Sequence, residues 1–314
     1  LSTRSVNEIE TPRTASNNAD YLVITHNDFR YEAERLVTHK INTGRFPHAK
    51  IIDIETIYRY FSGGNQDPGA IRNFLLYATN FWHTKPLYVL LFGNGNYDYR
   101  NIRTKEKNYI ATLQTKNEDQ NNYCLEDFFS ILIPGQLMED LNSFPDLFLG
   151  RIPCNTQIEA KIVVDKIIDM EDPLNADFGP WRNRLLLISD DDMQGDGYDY
   201  INHYQGNEDI EDSVKSTRPS TEIRKVMLFE YEFNSVYEKP EAALALINEI
   251  NRGVSCVNYF GHGGYNALAD EFILEKDKVR NFQNHKRYPI FNSFSCSVGK
   301  FDDPGKTCLS GELI

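Results

Sequence analysis

Apolar residues fall in short blocks separated by polar, helix-length stretches, and this alternation predicts the elements. Residues 21–25, 49–54 and 87–92 read as strands, with the acidic Asp53 interrupting the second. Between them residues 28–42 read as a helix, with Ala33, Leu36 and Val37 on one face and Gly44 beyond its end. Residues 57–61 form a short amphipathic piece, and residues 70–81 a helix entered through a capping Asp67 and a Pro68 at the first position. Strand and helix alternating in this way call for a parallel sheet with right-handed crossovers.

The second half repeats the alternation. Thr156 with Glu159 three residues on reads as a capping box, opening a helix whose buried stripe is expected to be Ile162, Val163, Ile167, Ile168 and Met170. Residues 185–188 form a strand that runs into Ser189-Asp190-Asp191-Asp192. His203 opens a further helix and is expected to be a surface histidine. Residues 224–229 read as a strand and 240–253 as a helix.

Two last apolar runs, 254–260 and 288–294, end abruptly in small residues. The first opens into Gly261-His262-Gly263-Gly264 and the second into Ser295-Cys296-Ser297-Val298-Gly299. Read as strands buried on both faces and lying side by side, they place His262 and Cys296 at one carboxyl edge, where open α/β sheets carry their sites. A thiol becomes a strong nucleophile as a thiolate, and a neighbouring imidazole can take its proton. Glycines around the histidine let backbone N–H groups approach an oxyanion closely. The stretch 265–274 carries Asp270 and Glu271, which read either as a rival third catalytic group or simply as part of a helix start near this edge.

Composition narrows the class. The chain has 314 residues, 40% hydrophobic and 12% aromatic, enough to fill a sizeable core. A formal charge of −13 argues against nucleic acid as a partner, because a phosphate backbone would be repelled. The five cysteines show no Cys-x-x-Cys and no zinc spacing, and the odd number leaves at least one thiol outside any intrachain disulfide. The glycine-rich stretch 62–68 lacks the Gly-Lys-Ser/Thr of a phosphate loop. No apolar run approaches the roughly 20 residues of a transmembrane segment. The chain starts at Leu1 rather than Met and stops just after a motif, so it is expected to be an excerpt of a longer protein. The expected organisation is a linker or tail over 1–20, a first α/β subdomain over 21–150 and a second over 151–314 carrying the histidine and cysteine. Residues 101–122 read as an exposed insertion.

Tyr259-Phe260-Gly261-His262-Gly263-Gly264 together with Cys296-Ser297-Val298-Gly299-Lys300-Phe301-Asp302-Asp303-Pro304 and Ser310-Gly311-Glu312 resembles the C25, gingipain-like cysteine peptidases. Within them it is most similar to the type IX secretion sortase branch. The resemblance extends to Asp67-Pro68, Ala70-Ile71-Arg72, the stretch 91–99, Glu126-Asp127-Phe128-Phe129 and the stretch 145–153. It implies a caspase/gingipain-like α/β fold of two subdomains with mostly parallel sheets flanked by helices. It further implies a cysteine endopeptidase in which Cys296 attacks a peptide carbonyl, His262 serves as base and then acid, and the N–H groups of Gly263 and Cys296 form the oxyanion hole. Asp192 is the best positional match for the acid that accompanies the pair, with Asp190 and Asp191 one or two residues away. Phe260 and Phe294 occupy positions that line the primary specificity pocket in the family, and two phenylalanines there imply a shallow apolar pocket preferring a small P1 residue over Arg or Lys. No cofactor is expected for catalysis; Asp190, Asp191, Asp196 and Asp199 read either as a structural calcium site, as in related secreted peptidases, or as solvated loop acids, since their spacing lacks the EF-hand pattern. The implied substrates are proteins, including cargo bearing C-terminal secretion signals handled with other type IX components, at the outer surface of a bacterial cell or beyond it. A secreted proteinase digesting foreign protein and a catalytically silent C25-like binding module remain as the alternatives.

Overall fold

The computed structural model describes residues 7–116, 122–133, 143–174, 176–191, 193–194, 197–198 and 202–314. The chain divides into two compact units, Leu1–Ile168 with Phe301–Lys306, and Asp169–Lys300 with Thr307–Ile314.

The first unit is built on four parallel strands, β1 (Tyr21–Thr25), β2 (Lys50–Asp53), β3 (Tyr88–Phe92) and β4 (Phe148–Ile152), in the order β2-β1-β3-β4. Alternate residues of β1 enter different cores: Leu22 and Ile24 join Ile57, Phe74 and Leu91, whereas Val23 joins Leu36, Phe92 and Val164. Burial on both faces is why these strands read as unbroken apolar runs. Helices α2 (Ile54–Phe61) and α3 (Pro68–Phe81) contribute to the first core, α1 (Arg30–Asn42) and α4 (Gln157–Glu171) to the second.

Several expectations for this unit change. Asp53 ends β2 instead of interrupting it, and its carboxylate caps α2 by accepting the Glu55 N–H at 2.8 Å, so the helix begins three residues earlier than the apolar pattern suggests. Residues 7–20 are no loose tail: Asn7 and Ile9 pair with both main-chain groups of Ile51, and Pro12 accepts the Trp82 indole N–H at 2.8 Å. The stretch after residue 101 is only partly exposed, since Ile110, Ala111 and Thr112 are buried and Arg151 donates to the Ile110 carbonyl. The Thr156/Glu159 capping box forms in both directions, but the buried stripe of α4 is Ala160, Val163 and Val164, and Ile162 is 45% exposed. Because β4 and most of α4 complete the first sheet and its core, the boundary falls near Ile168, not at residue 150, and Phe301–Lys306 also belongs to this unit.

The second unit repeats the plan. Strands β5 (Arg184–Ser189), β6 (Glu222–Met227), β7 (Cys256–Phe260) and β8 (Ile290–Phe294) are parallel in the order β6-β5-β7-β8, linked by α5 (His203–Thr217) and α6 (Pro240–Arg252). Leu246 and Ile250 of α6 pack on Leu186, Ile188, Val257 and Tyr259 of the sheet. Gly253 turns the chain out of α6 at φ 90°, a conformation that favours glycine. Strand β8 departs from the expected two-sided burial: it lies at the sheet edge, and Ile290, Asn292 and Phe294 are exposed. The stretch 265–274 forms a two-stranded hairpin, Ala267–Leu268 against Leu274–Glu275, where a helix start was expected. Left-handed backbone at Ala269 and Phe272 lets the chain reverse there.

In this sheet the connections run one way from β5 to β6 and the other way from β6 to β7. The point of reversal lies between β5 and β7, and ligands of open α/β sheets sit outside the carboxyl ends of the strands at such a point. The residues leaving β5, β7 and β8 there are Asp190 and Asp191, His262, and Cys296.

Candidate active site

Strands β7 and β8 are in register, with Phe260 opposite Phe294, and the ladder extends one bond further through the Gly261 N–H to the Phe294 carbonyl at 3.3 Å. His262 and Cys296 each lie two residues beyond that paired position, so the sheet delivers both to one edge. The two exit loops touch. A Cβ on Gly263 would stand 2.1 Å from Ser295 Oγ and 2.8 Å from Val298 Cγ2, an approach that only glycine permits. Glycine is required here by the neighbouring cysteine loop, a reason additional to the oxyanion argument.

Cys296 sits on a tight reversal. The Val298 N–H bonds back to the Cys296 carbonyl at 2.7 Å across Ser297, which holds a left-handed φ of 53°. Such a conformation costs a non-glycine residue about 1–3 kcal/mol and tends to persist where a side chain must be presented. Cys296 is exposed, whereas Cys154 and Cys308 are buried and Cys124 and Cys256 half-buried. Burial pushes the thiols of Cys124, Cys154 and Cys256 up, away from thiolate.

On the histidine side, Gly264 N–H bonds to the Ala267 carbonyl and Ala269 N–H to the His262 carbonyl, both at 2.9 Å. These flanking bonds make the antiparallel bridge of Gly263 with Leu268, so the Gly263 N–H itself points away from the hairpin. That N–H is one of the two expected oxyanion donors.

The acid that touches His262 among the described residues is Asp190, one of the two alternatives to Asp192. Its Oδ2 accepts the main-chain N–H of His262 at 2.8 Å, and the Tyr259 hydroxyl bonds the His262 carbonyl at 2.5 Å while lying 3.3 Å from the same Oδ2. Asp190 therefore braces the backbone of the histidine loop. Gly261 makes this possible, because a Cβ there would meet Asp190 Cβ at 2.4 Å. Burial pushes the Asp190 carboxyl up to about 6, against the His262 N–H, which favours the charged form. Asp192, Asp196 and Asp199 lie outside the described residues.

Asp191 is occupied differently. It is buried and ion-pairs with Lys239, which is 2% exposed, also donates to the Leu228 carbonyl at 2.8 Å and stands 4.2 Å from the centre of the Phe233 ring. Glu271, 3% exposed, completes a buried triad with Asp190 and Asp191, and one of its oxygens is buried without a hydrogen-bond partner. Burial pushes its carboxyl up to about 7. Asp270, the other candidate in this stretch, is exposed. The triad does not fit a calcium site. Asp191 holds an ammonium and Asp190 holds the His262 loop, whereas calcium takes six to eight unencumbered oxygens.

His203 is the residue that sequence reasoning missed. It is half-buried, its Nδ1 is 3.0 Å from the Asp191 carbonyl, and its ring meets that of His262 edge to face, with centroids 5.1 Å apart at 79°. The only advance signal was its place at a helix start just after the acidic strand exit.

Phe260 and Phe294 stack across the two strands at 4.6 Å and 19°, with Phe294 57% exposed. The motif downstream of the cysteine has a separate task. Within the first unit, the Tyr97 N–H bonds the Asp302 carbonyl, the Tyr97 hydroxyl bonds Asp303 at 2.7 Å, Gln114 Nε2 bonds Asp302 at 2.9 Å, and Arg151 covers the Phe301 ring. The segment following the cysteine loop is thereby anchored.

The family model of peptidase family C25 matches residues 14–314. The chain belongs to peptidase family C25. The C25 match takes in every motif described above, from Asp67-Pro68 to Ser310-Gly311-Glu312. Among solved structures the fold is similar to that of the Arg-specific cysteine proteinase gingipain R (RgpB), at a TM-score of 0.67 and 18% identity, covering 96% of this chain and 60% of that one. The complex of the pro- and mature domains of RgpB from Porphyromonas gingivalis aligns at a TM-score of 0.66 and 18% identity, over 93% and 59% of the two chains. Dimeric latent PorU from the same organism aligns over 49% of this chain and 16% of its own, at 25% identity and a TM-score of 0.42. This chain thus spans about 60% of the gingipain R chain it matches. No curated protein matches the sequence.

Proposed function

We propose that this C25 chain is a cysteine endopeptidase domain using Cys296 and His262. The observation that carries the reading is the register of β7 and β8, which brings a histidine and an exposed cysteine out at equivalent positions beside the sheet's switch point. In the first step the Cys296 sulfur attacks the scissile carbonyl while its proton passes to His262. The oxyanion is held by the N–H groups of Gly263 and Cys296, and one such donor is typically worth about 10²–10³ in rate. Collapse to the thioester expels the amine, which takes the proton from His262. Water, deprotonated by the same imidazole, then releases the acid and restores the thiol.

Alkylation tests this directly. Iodoacetamide at neutral pH is expected to modify Cys296 ahead of the other four cysteines, by peptide mass mapping, and His262→Ala is expected to slow that modification. Uniform slow labelling of all five would favour a catalytically silent C25-like module.

The substrates are proteins, and the sortase-branch likeness of the motifs points to removal of C-terminal secretion signals from type IX cargo at the bacterial cell surface. The stacked Phe260 and Phe294 favour a shallow, apolar P1 subsite. A fluorogenic peptide panel is therefore expected to show faster cleavage after small P1 residues than after Arg or Lys. Dominant cleavage after Arg would assign the chain to the digestive, secreted type of proteinase.

A further inference from the structure

The first turn of α5 is fixed to the sheet by buried polar groups. Asn207, fully buried, donates from Nδ2 to the Ile188 carbonyl at 2.8 Å and to Ser189 Oγ at 2.7 Å, and it accepts from Asn258 Nδ2 at 2.8 Å. Gly206, on the same turn, lies against the Phe260 ring, where a Cβ would stand 3.1 Å from the ring edge. Asn202 caps the helix through the Gln205 N–H. A buried and fully satisfied network of this kind fixes one geometry, and His203 is the residue it presents.

The His203 ring is held at a second point. A carbonyl can only accept, so the 3.0 Å contact to the Asp191 carbonyl assigns the proton to His203 Nδ1. Asp191 is itself fixed by Lys239. The same ring meets the His262 imidazole edge to face, a geometry favoured between aromatic rings.

We propose that His203 is a positioning residue for His262, its clamped ring forming a wall that keeps the His262 imidazole in the rotamer from which it serves Cys296. The inference rests on the peptidase reading above. A base that must take a proton from sulfur and later pass it to a leaving amine needs one orientation held through both steps, and small displacements of such a group are costly in rate. The braces of Asp190 and Tyr259 act on the His262 main chain, whereas His203 acts on its ring.

The test measures the second-order rate of Cys296 alkylation by iodoacetamide at one pH, with the thermal midpoint, for the unmodified protein, His203→Ala, His203→Phe and His262→Ala. His203→Ala is expected to slow alkylation about fivefold, the scale of one edge-to-face contact, with the midpoint changed by no more than a few degrees. His203→Phe, which keeps the ring but loses the Nδ1–H bond to the Asp191 carbonyl, is expected to label at a rate between those of His203→Ala and the unmodified protein, assigning part of the effect to the ring contact and the rest to the clamp. A His203→Ala rate equal to the unmodified one, or a phenylalanine variant as slow as the alanine one, overturns the inference. If His262→Ala also labels at the unmodified rate, the peptidase reading fails instead.

Discussion

Cys296→Ala is expected to abolish peptide cleavage, lowering kcat/KM by at least about 10³-fold, and His262→Ala is expected to do nearly the same. In the proposed mechanism the thiol forms the covalent intermediate and the imidazole moves its proton, so either loss would remove the same sequence of steps. The two changes combined are accordingly expected to cost little more than either alone, the behaviour of groups that act as a unit. The fold should tolerate the cysteine change, because Cys296 is exposed and lies in a turn beyond β8. No other cysteine is placed to substitute: Cys154 and Cys308 are buried, and burial raises Cys124 and Cys256. The measurement is cleavage of a client carrying a C-terminal secretion signal, followed by mass spectrometry of both products, alongside the fluorogenic peptides. Cleavage by Cys296→Ala at more than a tenth of the unmodified rate would place the nucleophile elsewhere.

Much of this site was legible in the sequence, and what escaped shares a physical cause. The strands were visible because two-sided burial makes β1, β3 and β5 continuous apolar runs, and the caps at Asp67 and Thr156 were visible because capping uses particular side chains at particular offsets. His262 and Cys296 stood out as reactive side chains at strand exits. Asp190 was weighed beside Asp192 as an orienting acid, but no pattern shows that its carboxylate holds a main-chain N–H and not an imidazole. His203 read as a surface residue because its partners, Asp191 and His262, lie 12 and 59 positions away and meet it only through the β5-α5 and β7 geometry. Glu271 likewise owes its burial to a hairpin whose left-handed turns, at Ala269 and Phe272, fall on residues that seldom adopt them. Local chemistry was readable, and long-range pairing of polar groups was not.

Lys239→Met is expected to destabilise the fold by about 3–5 kcal/mol, the usual result of removing one partner from a buried ion pair. The Lys239 ammonium is enclosed by the Asp191 carboxylate, the Leu228 carbonyl and the Phe233 ring. Without it Asp191 would be buried beside Asp190 and Glu271 and would lose the lysine's positive charge. Asp191→Asn added to Lys239→Met is therefore expected to restore most of the loss, since it removes the charge that Lys239 offsets at nearly constant volume. The pH dependence follows from the neighbouring acids. Burial raises Glu271 to about 7 and Asp190 to about 6, so the folded chain retains protons that the unfolded chain has already released. For a raised carboxyl, stability is greatest below the unfolded value, near 4, and declines as pH rises toward the folded value, here between about 4 and 7. Lys239 favours the charged form of Glu271, so in Lys239→Met ionising that carboxyl costs more and the deficit against the unmodified protein is expected to be larger at pH 8 than at pH 5. Urea unfolding followed by tryptophan fluorescence at the two pH values measures it. A deficit below about 1 kcal/mol at both would mean that Lys239 contributes packing alone, and a full deficit that Asp191→Asn fails to relieve would move the cost to the Leu228 carbonyl it leaves behind.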